Sequence, residues 1–325
     1  MLRRVLAAVV VLILLAVSPA AALETDQYEA WGHDLDDSTE ILNAKINYEL
    51  QKVLDRVNGR RGIRRLTCDT VAGHITAHFR MLIFHPIEVW ASKSPLIDRY
   101  PPTEQAELDS RKRNIMGNAG PWDLGTWLPY GPTIEVDDVR FGTDKLAHFF
   151  SGGSSYYALF VRSRRQGLSE EAAERRVIDR GIFSEETFLG YGTSGVLSAA
   201  DLEANYRGMT FLLGLCGGDS PQLERVGDGY ELVRPFDSRD YVTVEWDESY
   251  NNSGFARSRW KKVKPRLLEL CPMLEHPWVL EQRRRYRERD EDTPTETRLR
   301  QLVADGLMDG VSVYSLDAVC EGRSP

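Results

Sequence analysis

A chain of 325 residues, 42% of them hydrophobic and with seven Trp and thirteen Tyr, can fill the core of one large domain or two small ones. That aromatic and apolar content excludes disorder over the whole length. The net charge of −8 excludes nucleic acid as a bulk electrostatic partner.

The N-terminus reads as a secretory signal. Arg3 and Arg4 precede the apolar run Val5 to Val17, and Ala20-Ala21-Ala22 supplies a small-residue cleavage site. The run rises only about 20 Å as a helix, against a bilayer core of about 30 Å. The expectation is therefore a signal peptide over 1–22 and a mature chain from Leu23 with no stable membrane span. It would be periplasmic or secreted, with an envelope component as partner. The mature chain divides by composition into an N-terminal helical segment (23–100), a main helical core with a small β element (101–280) and a charged C-terminal segment (281–325).

Ile41, Leu42, Ile46, Leu50, Val53, Leu54 and Val57 recur at helical spacing. Asp37 and Glu40 stand where a cap belongs, and Asn58-Gly59 supplies a stop. A second helix is expected from about Asp69 to Phe84, ended or kinked by His85-Pro86. Residues 92–142 are rich in Pro and Gly and read as irregular chain anchored by Trp122, Trp127, Leu128 and Tyr130. A helix follows Thr143, with Gly152-Gly153 as its expected break. Ser169 to Phe188 and Asp201 to Leu215 read as helices. Two short runs around Gly227-Asp228-Gly229 signal a hairpin, and Tyr241 to Trp246 alternates like a third strand. Trp260 to Leu270 returns to helix, residues 281–292 read as a solvated charge run, and a last helix starts at Pro294 and fades at Gly306. The fold class is mainly α with a small β-hairpin element in a single globular domain, α+β being the alternative. Cys68, Cys216, Cys271 and Cys320 suit up to two disulfides in an oxidising compartment, with three connectivities open.

Two clusters could carry chemistry. His74 and His78, at i and i+4, share a helix face, a spacing that suits zinc, and His85 falls near that face if the helix persists. Asp144 and His148 share another face, where the carboxylate could orient the imidazole for base chemistry or metal binding. The metal candidates are thus His74, His78, Asp144 and His148, with zinc the ion they would suit. No phosphate-binding loop, dinucleotide fingerprint or nucleophile elbow is present in the sequence.

The string Asp144-Lys145-Leu146-Ala147-His148-Phe149 resembles one in VanZ-like membrane proteins and in small envelope proteins. Together with Ser198 to Gly208 and Trp246 to Asn251, the stretch Gly142 to Phe150 is similar to segments of exported bacterial proteins of unassigned function. A further likeness is to the lysozyme-like lytic transglycosylases. Glu186-Thr187-Phe188, Gly195 to Ser198 and Tyr250 to Gly254 occur in that family's order, although Thr replaces the family's Ser and its Gln is missing. That resemblance implies Glu186 as a catalytic acid, in a groove facing Tyr250 and Asn251, beside Asp144 and His148 as the other catalytic candidates. The sequence reading favours a binding or structural role at the envelope. A hydrolase is the alternative, either metal-dependent or acting on peptidoglycan.

Overall fold

The structure, a computed structural model, describes residues 24–59, 66–81, 85–103, 106, 114–116, 130–187 and 189–325. The signal-peptide reading of residues 1–22 lies outside the described residues, as do Trp122, Trp127 and Leu128. The protein is mainly helical, with three two-stranded antiparallel sheets among the described residues. No helix among the described residues is long and apolar enough to cross a membrane.

Helix α1 (Thr39–Asn58) buries Leu42, Ile46, Leu50, Val53, Leu54 and Val57. Asp37 begins it by accepting from the backbone N–H and hydroxyl of Thr39. Helix α2 (Cys68–Phe79) stops earlier than its pattern suggests, and α3 (Pro86–Lys93) is a separate helix. His85-Pro86 therefore opens a helix instead of closing one. Pro86 takes the first position, where its missing N–H is harmless, and His85 Nδ1 accepts from the Ile87 N–H at 3.3 Å. Burial lowers the His85 pKa to about 4, which suits an acceptor ring.

Inside the Pro/Gly-rich stretch lies a hairpin that its composition hides. Strands β1 (Thr133–Val136) and β2 (Val139–Gly142) pair through Asp137-Asp138, both at positive φ. Aspartates tolerate this turn less readily than Asn-Gly, the usual signal. Next comes α4, one continuous helical rod made of Asp144–Ala147, a π turn His148–Gly152 and Gly153–Arg165. Gly152-Gly153 does not break it. These glycines serve packing: a Cβ on Gly153 would lie 2.6 Å from the Gly208 Cα, and one on Gly208 would lie 1.7 Å from the Phe149 carbonyl oxygen. Removing both side chains lets α4 and α6 (Ala199–Gly214) touch backbone to backbone.

Helix α5 (Glu170–Thr187) is followed by a second π turn, Gly190–Ser194, and by β3 (Val196–Leu197). The expected hairpin forms as β4 (Leu223–Val226) and β5 (Gly229–Leu232). The expected third strand does not. Residues Ser238–Asp240 and Val244–Trp246 make 3-10 turns instead, and Tyr241, Val242, Val244 and Trp246 are all buried. Strand β6 (Gly254–Phe255) pairs with β3. Helices α7 (Arg257–Glu269), α8 (Pro277–Arg289), α9 (Pro294–Ala304) and α10 (Leu316–Cys320) complete the chain, so much of the charge run lies on α8.

One apolar core runs from Leu42 on α1 to Tyr286 on α8, with the Phe149, Phe211, Phe236 and Tyr241 rings at mutual contact distances. The disulfides are Cys68–Cys216, tying the start of α2 to the chain two residues beyond α6, and Cys271–Cys320, tying the turn after α7 to α10.

Candidate functional site

The close approach of α4 and α6 places charged side chains face to face where apolar ones would be expected. At the first turn of α4, the Lys145 side chain is completely buried. Its ammonium meets Asp144 Oδ2 at 2.6 Å, Asp201 Oδ1 at 2.7 Å and Glu248 Oε1 at 3.0 Å. The ammonium donates hydrogen bonds to Asp144 and Glu248, while Asp201 Oδ1 pairs with it by charge without an aligned N–H. Asp201 comes from the first turn of α6, set there by Ser198, whose hydroxyl accepts from the Asp201 N–H at 3.0 Å and donates to Glu248. Glu248 comes from the loop after the Val244–Trp246 turn, and Gln27 accepts from its backbone N–H. Thr25 donates to Asp144 Oδ1 at 2.8 Å.

His148 sits one turn along α4 at the edge of the cluster, its side chain 10% exposed. Nε2 lies 3.2 Å from Asp201 Oδ2, and Nδ1 lies 3.2 Å from Asn205 Oδ1. Both nitrogens face oxygen acceptors. The π turn beginning at His148 widens the helix where it meets Asn205, and a Cβ on Gly152 would collide with that amide at 1.6 Å.

Two further carboxyls act on this group. Glu24 has a backbone that reaches the surface and a carboxyl that is buried, with Oε2 lacking a hydrogen-bond partner among the described residues. Glu185, on α5, is buried against the Gly190 turn. Five carboxyls thus share one ammonium and one imidazole. Burial raises Glu24 to about 8, and Asp201 and Glu248 push it the same way. Burial likewise raises Glu248 to about 7 against the pull of Lys145. Glu185 rises well above the carboxylate range by burial and by Asp201 and Glu24. Burial would also raise Asp201, but His148 and Lys145 outweigh it and hold that carboxyl low. Burial alone would strip the proton from Lys145; Asp144, Asp201 and Glu248 overcome it and bind the proton more tightly than water does.

Beside Glu248 is a cavity of about 20 Å³, room for about one water molecule. Thr25, Gln27, Asn252 and Ser253 also line it, and the buried Ser253 hydroxyl has no partner among the described residues. Tyr28 and Ile115 form a wall shared with a larger cleft of about 370 Å³, which carries Asp26, Glu29, Arg266 and Glu269.

The residues singled out by sequence fall in three places. Asp144 and His148 are in the cluster, but Asp201 and Asn205, not Asp144, orient the imidazole. His74 and His78 belong to no group of three ligands within 4.8 Å among the described residues, whereas Asp144, His148 and Asp201 form one. His78 instead lies 3.3 Å from Glu49, which also holds Lys45 and Lys52. Because α2 ends at Phe79, His85 leaves that face and stacks on Phe150. The four expected ligands therefore do not form one zinc site. The remaining triad does not fit zinc either, because a dication on Asp144 and Asp201 would sit beside the buried ammonium that already bridges them.

Glu186 is half-buried beside Tyr191, while Tyr250 donates to Asp290 at 2.9 Å and Asn251 donates to the Glu245 carbonyl at 2.9 Å. The buried acid is its neighbour Glu185, about 100° around the helix. Lys145, Asp201 and Glu248 lie in segments that the sequence marks separately and does not join, Glu24 carries no signal, and Glu185, which the helical pattern would put on a polar face with Glu186, is buried. A usable signal was the Asp144-Lys145 pair at the head of an apolar helix that also carries paired glycines. No protein-family model, no curated protein and no solved structure matches this chain.

Proposed function

We propose that this is an exported envelope hydrolase in which Glu248 moves the proton of a water held in the adjoining cavity. The observation that carries the reading is Glu248 itself: a carboxyl brought to about 7 by burial, lining a space the size of one water. A group that titrates near neutrality is half in each protonation state there, which suits general acid–base work. Lys145 and Ser198 hold Glu248 in place by hydrogen bonds, and Asp144 and Asp201 tune it by charge. The polar cleft beyond Tyr28 and Ile115 is of a size to take part of a polar substrate. Buried charge is expensive to keep, and clusters of perturbed carboxyls concentrate at working sites. The disulfides and the signal-like N-terminus support a location outside the cytoplasm.

One observation favours a second reading, a non-catalytic binding or structural role. Lys145 is surrounded by three carboxylates and both His148 nitrogens are engaged, as in a network that locks helices together. The two readings separate in one experiment. Mature protein is assayed on purified cell wall and on chromogenic ester and glycoside substrates, beside Glu248→Gln. The hydrolase reading expects turnover whose pH profile has an apparent pKa near 7, lost in Glu248→Gln with the fold intact. Absence of turnover on every substrate, or equal turnover by the variant, removes Glu248 as the working group and leaves the structural reading.

A further inference from the structure

On another face, α2 and α4 leave a groove of about 550 Å³ between them. Its floor is made of small and apolar groups, Gly73, Ala77, Ala158 and Val161, with one side of the half-buried Tyr157 ring. A Cβ added at Gly73 would meet nothing within 4 Å, so the floor there is open. The rim carries Arg80, Arg162 and Arg165, all exposed. None of the three side chains forms an ion pair or hydrogen bond with a described residue. Several other arginines on this acidic chain are taken up by carboxylates, as in Arg140–Glu135, Arg207–Glu203, Arg289–Asp137 and Arg298–Asp179. The one acid that acts on Tyr157 is Asp69, in the first turn of α2, and Arg165 opposes it there.

Three guanidinium groups without an acid partner among the described residues, beside an apolar trough, are complementary to a molecule with an anionic head and an apolar tail. We propose that this groove binds an anionic phospholipid, its phosphate held by Arg80, Arg162 and Arg165 and part of an acyl chain laid over the Gly73–Ala158 floor. Guanidinium matches phosphate bidentately and keeps its charge at any physiological pH. The volume lies within the range of pockets that enclose small ligands, and it accommodates a section of one chain, not a whole lipid. The site shares no residue with the Lys145 cluster, so the two proposals stand or fall separately.

The probe is dihexanoyl-phosphatidylglycerol below its micelle concentration, titrated into the mature, disulfide-intact protein by calorimetry. Dihexanoyl-phosphatidylcholine and inorganic phosphate serve as comparisons. Saturable binding of the anionic lipid, at least tenfold tighter than either comparison, is the expected result. Arg162→Gln with Arg165→Gln should remove the preference for the anionic head. Gly73→Leu should plug the floor and weaken binding at least tenfold while leaving thermal unfolding unchanged, since its Cβ enters open space. Phosphate binding as tight as the lipid would mean the trough contributes nothing and would overturn the proposal. So would equal binding of the zwitterionic lipid, no saturable binding at all, or full affinity in Gly73→Leu. If Arg162 and Arg165 serve only to neutralise the C-terminus of α4, their replacement will lower the melting temperature without changing lipid affinity.

Discussion

The buried carboxyls make stability fall as pH rises, which is opposite to the behaviour of a protein held by ordinary salt bridges. Glu24 illustrates the size of the effect. Its carboxyl titrates near 4.5 in the unfolded chain and at about 8 in the folded one. Between those values the native state holds the proton more often than the unfolded state, so unfolding releases protons and stability declines with pH. A span from 4.5 to about 8 corresponds to about 5 kcal/mol of stability, fully present below pH 4.5 and lost once the pH has risen past 8. Glu248, raised to about 7, titrates together with Glu24, so the two effects overlap and do not simply add. Glu24→Gln keeps the shape and removes the titration. It should unfold like the wild type at pH 4 and be more stable by up to about 5 kcal/mol at pH 8.5. Urea denaturation at pH 4, 5.5, 7 and 8.5 reads the difference directly. Wild-type stability that rises from pH 5.5 to 8.5, or an unchanged slope in Glu24→Gln, would show that Glu24 is solvated and that the account of the cluster is wrong.

The same geometry gives three more expectations. Lys145→Met leaves Asp144, Asp201 and Glu248 buried without their cation and should cost about 3–5 kcal/mol; adding Asp201→Asn should recover part of it, and a double-mutant cycle of denaturation midpoints checks the coupling. Gly208→Ala drives a methyl into the Phe149 carbonyl and should destabilise by about 3 kcal/mol or more, seen as a lower melting temperature, whereas Gly306→Ala, in open space, should lose only what its positive φ costs. Cys68→Ser with Cys216→Ser opens a crosslink spanning 148 residues and should lower stability by about 5 kcal/mol on the chain-entropy account, compared under non-reducing conditions by denaturant unfolding.

The helices were legible because their apolar spacing matches what they bury. The α1 stripe from Leu42 to Val57 is the stripe in the core, and the Gly227-Asp228 signal marks the hairpin that forms. The failures have local physical causes. The hairpin at Asp137-Asp138 uses residues whose positive φ is uncommon, so its turn carries no glycine to announce it. Tyr241 to Trp246 alternates in sequence like a strand, but it runs between two 3-10 turns that bury neighbouring side chains together, Glu245 included, instead of every second one. Gly152-Gly153 looked like a break because glycine weakens an isolated helix; here it is the condition for contact with α6.

That contact explains why the site was harder to read than the fold. In sequence, Glu24, Lys145, Glu185, Asp201 and Glu248 are scattered over more than two hundred positions, and each has an ordinary explanation alone: a terminal acid, a helix-cap neighbour, a charge on a polar face. Their meaning is collective and arises only when two helices without side chains at the crossing bring charges into a space that excludes water. Once there, the excess of carboxyls over cations must be met by protons, which is why Glu24, Glu185 and Glu248 all rise together while Asp201, with both His148 and Lys145 beside it, does not. Glu248 differs from its partners in one respect: it alone joins this proton store to the wall of a water-sized cavity. A structural lock would need the ion network and nothing more, and it could be replaced by apolar side chains at little cost. A proton-transfer centre needs the cavity too. The combination is the reason for placing the function at Glu248, and not at His148, whose two nitrogens are already committed.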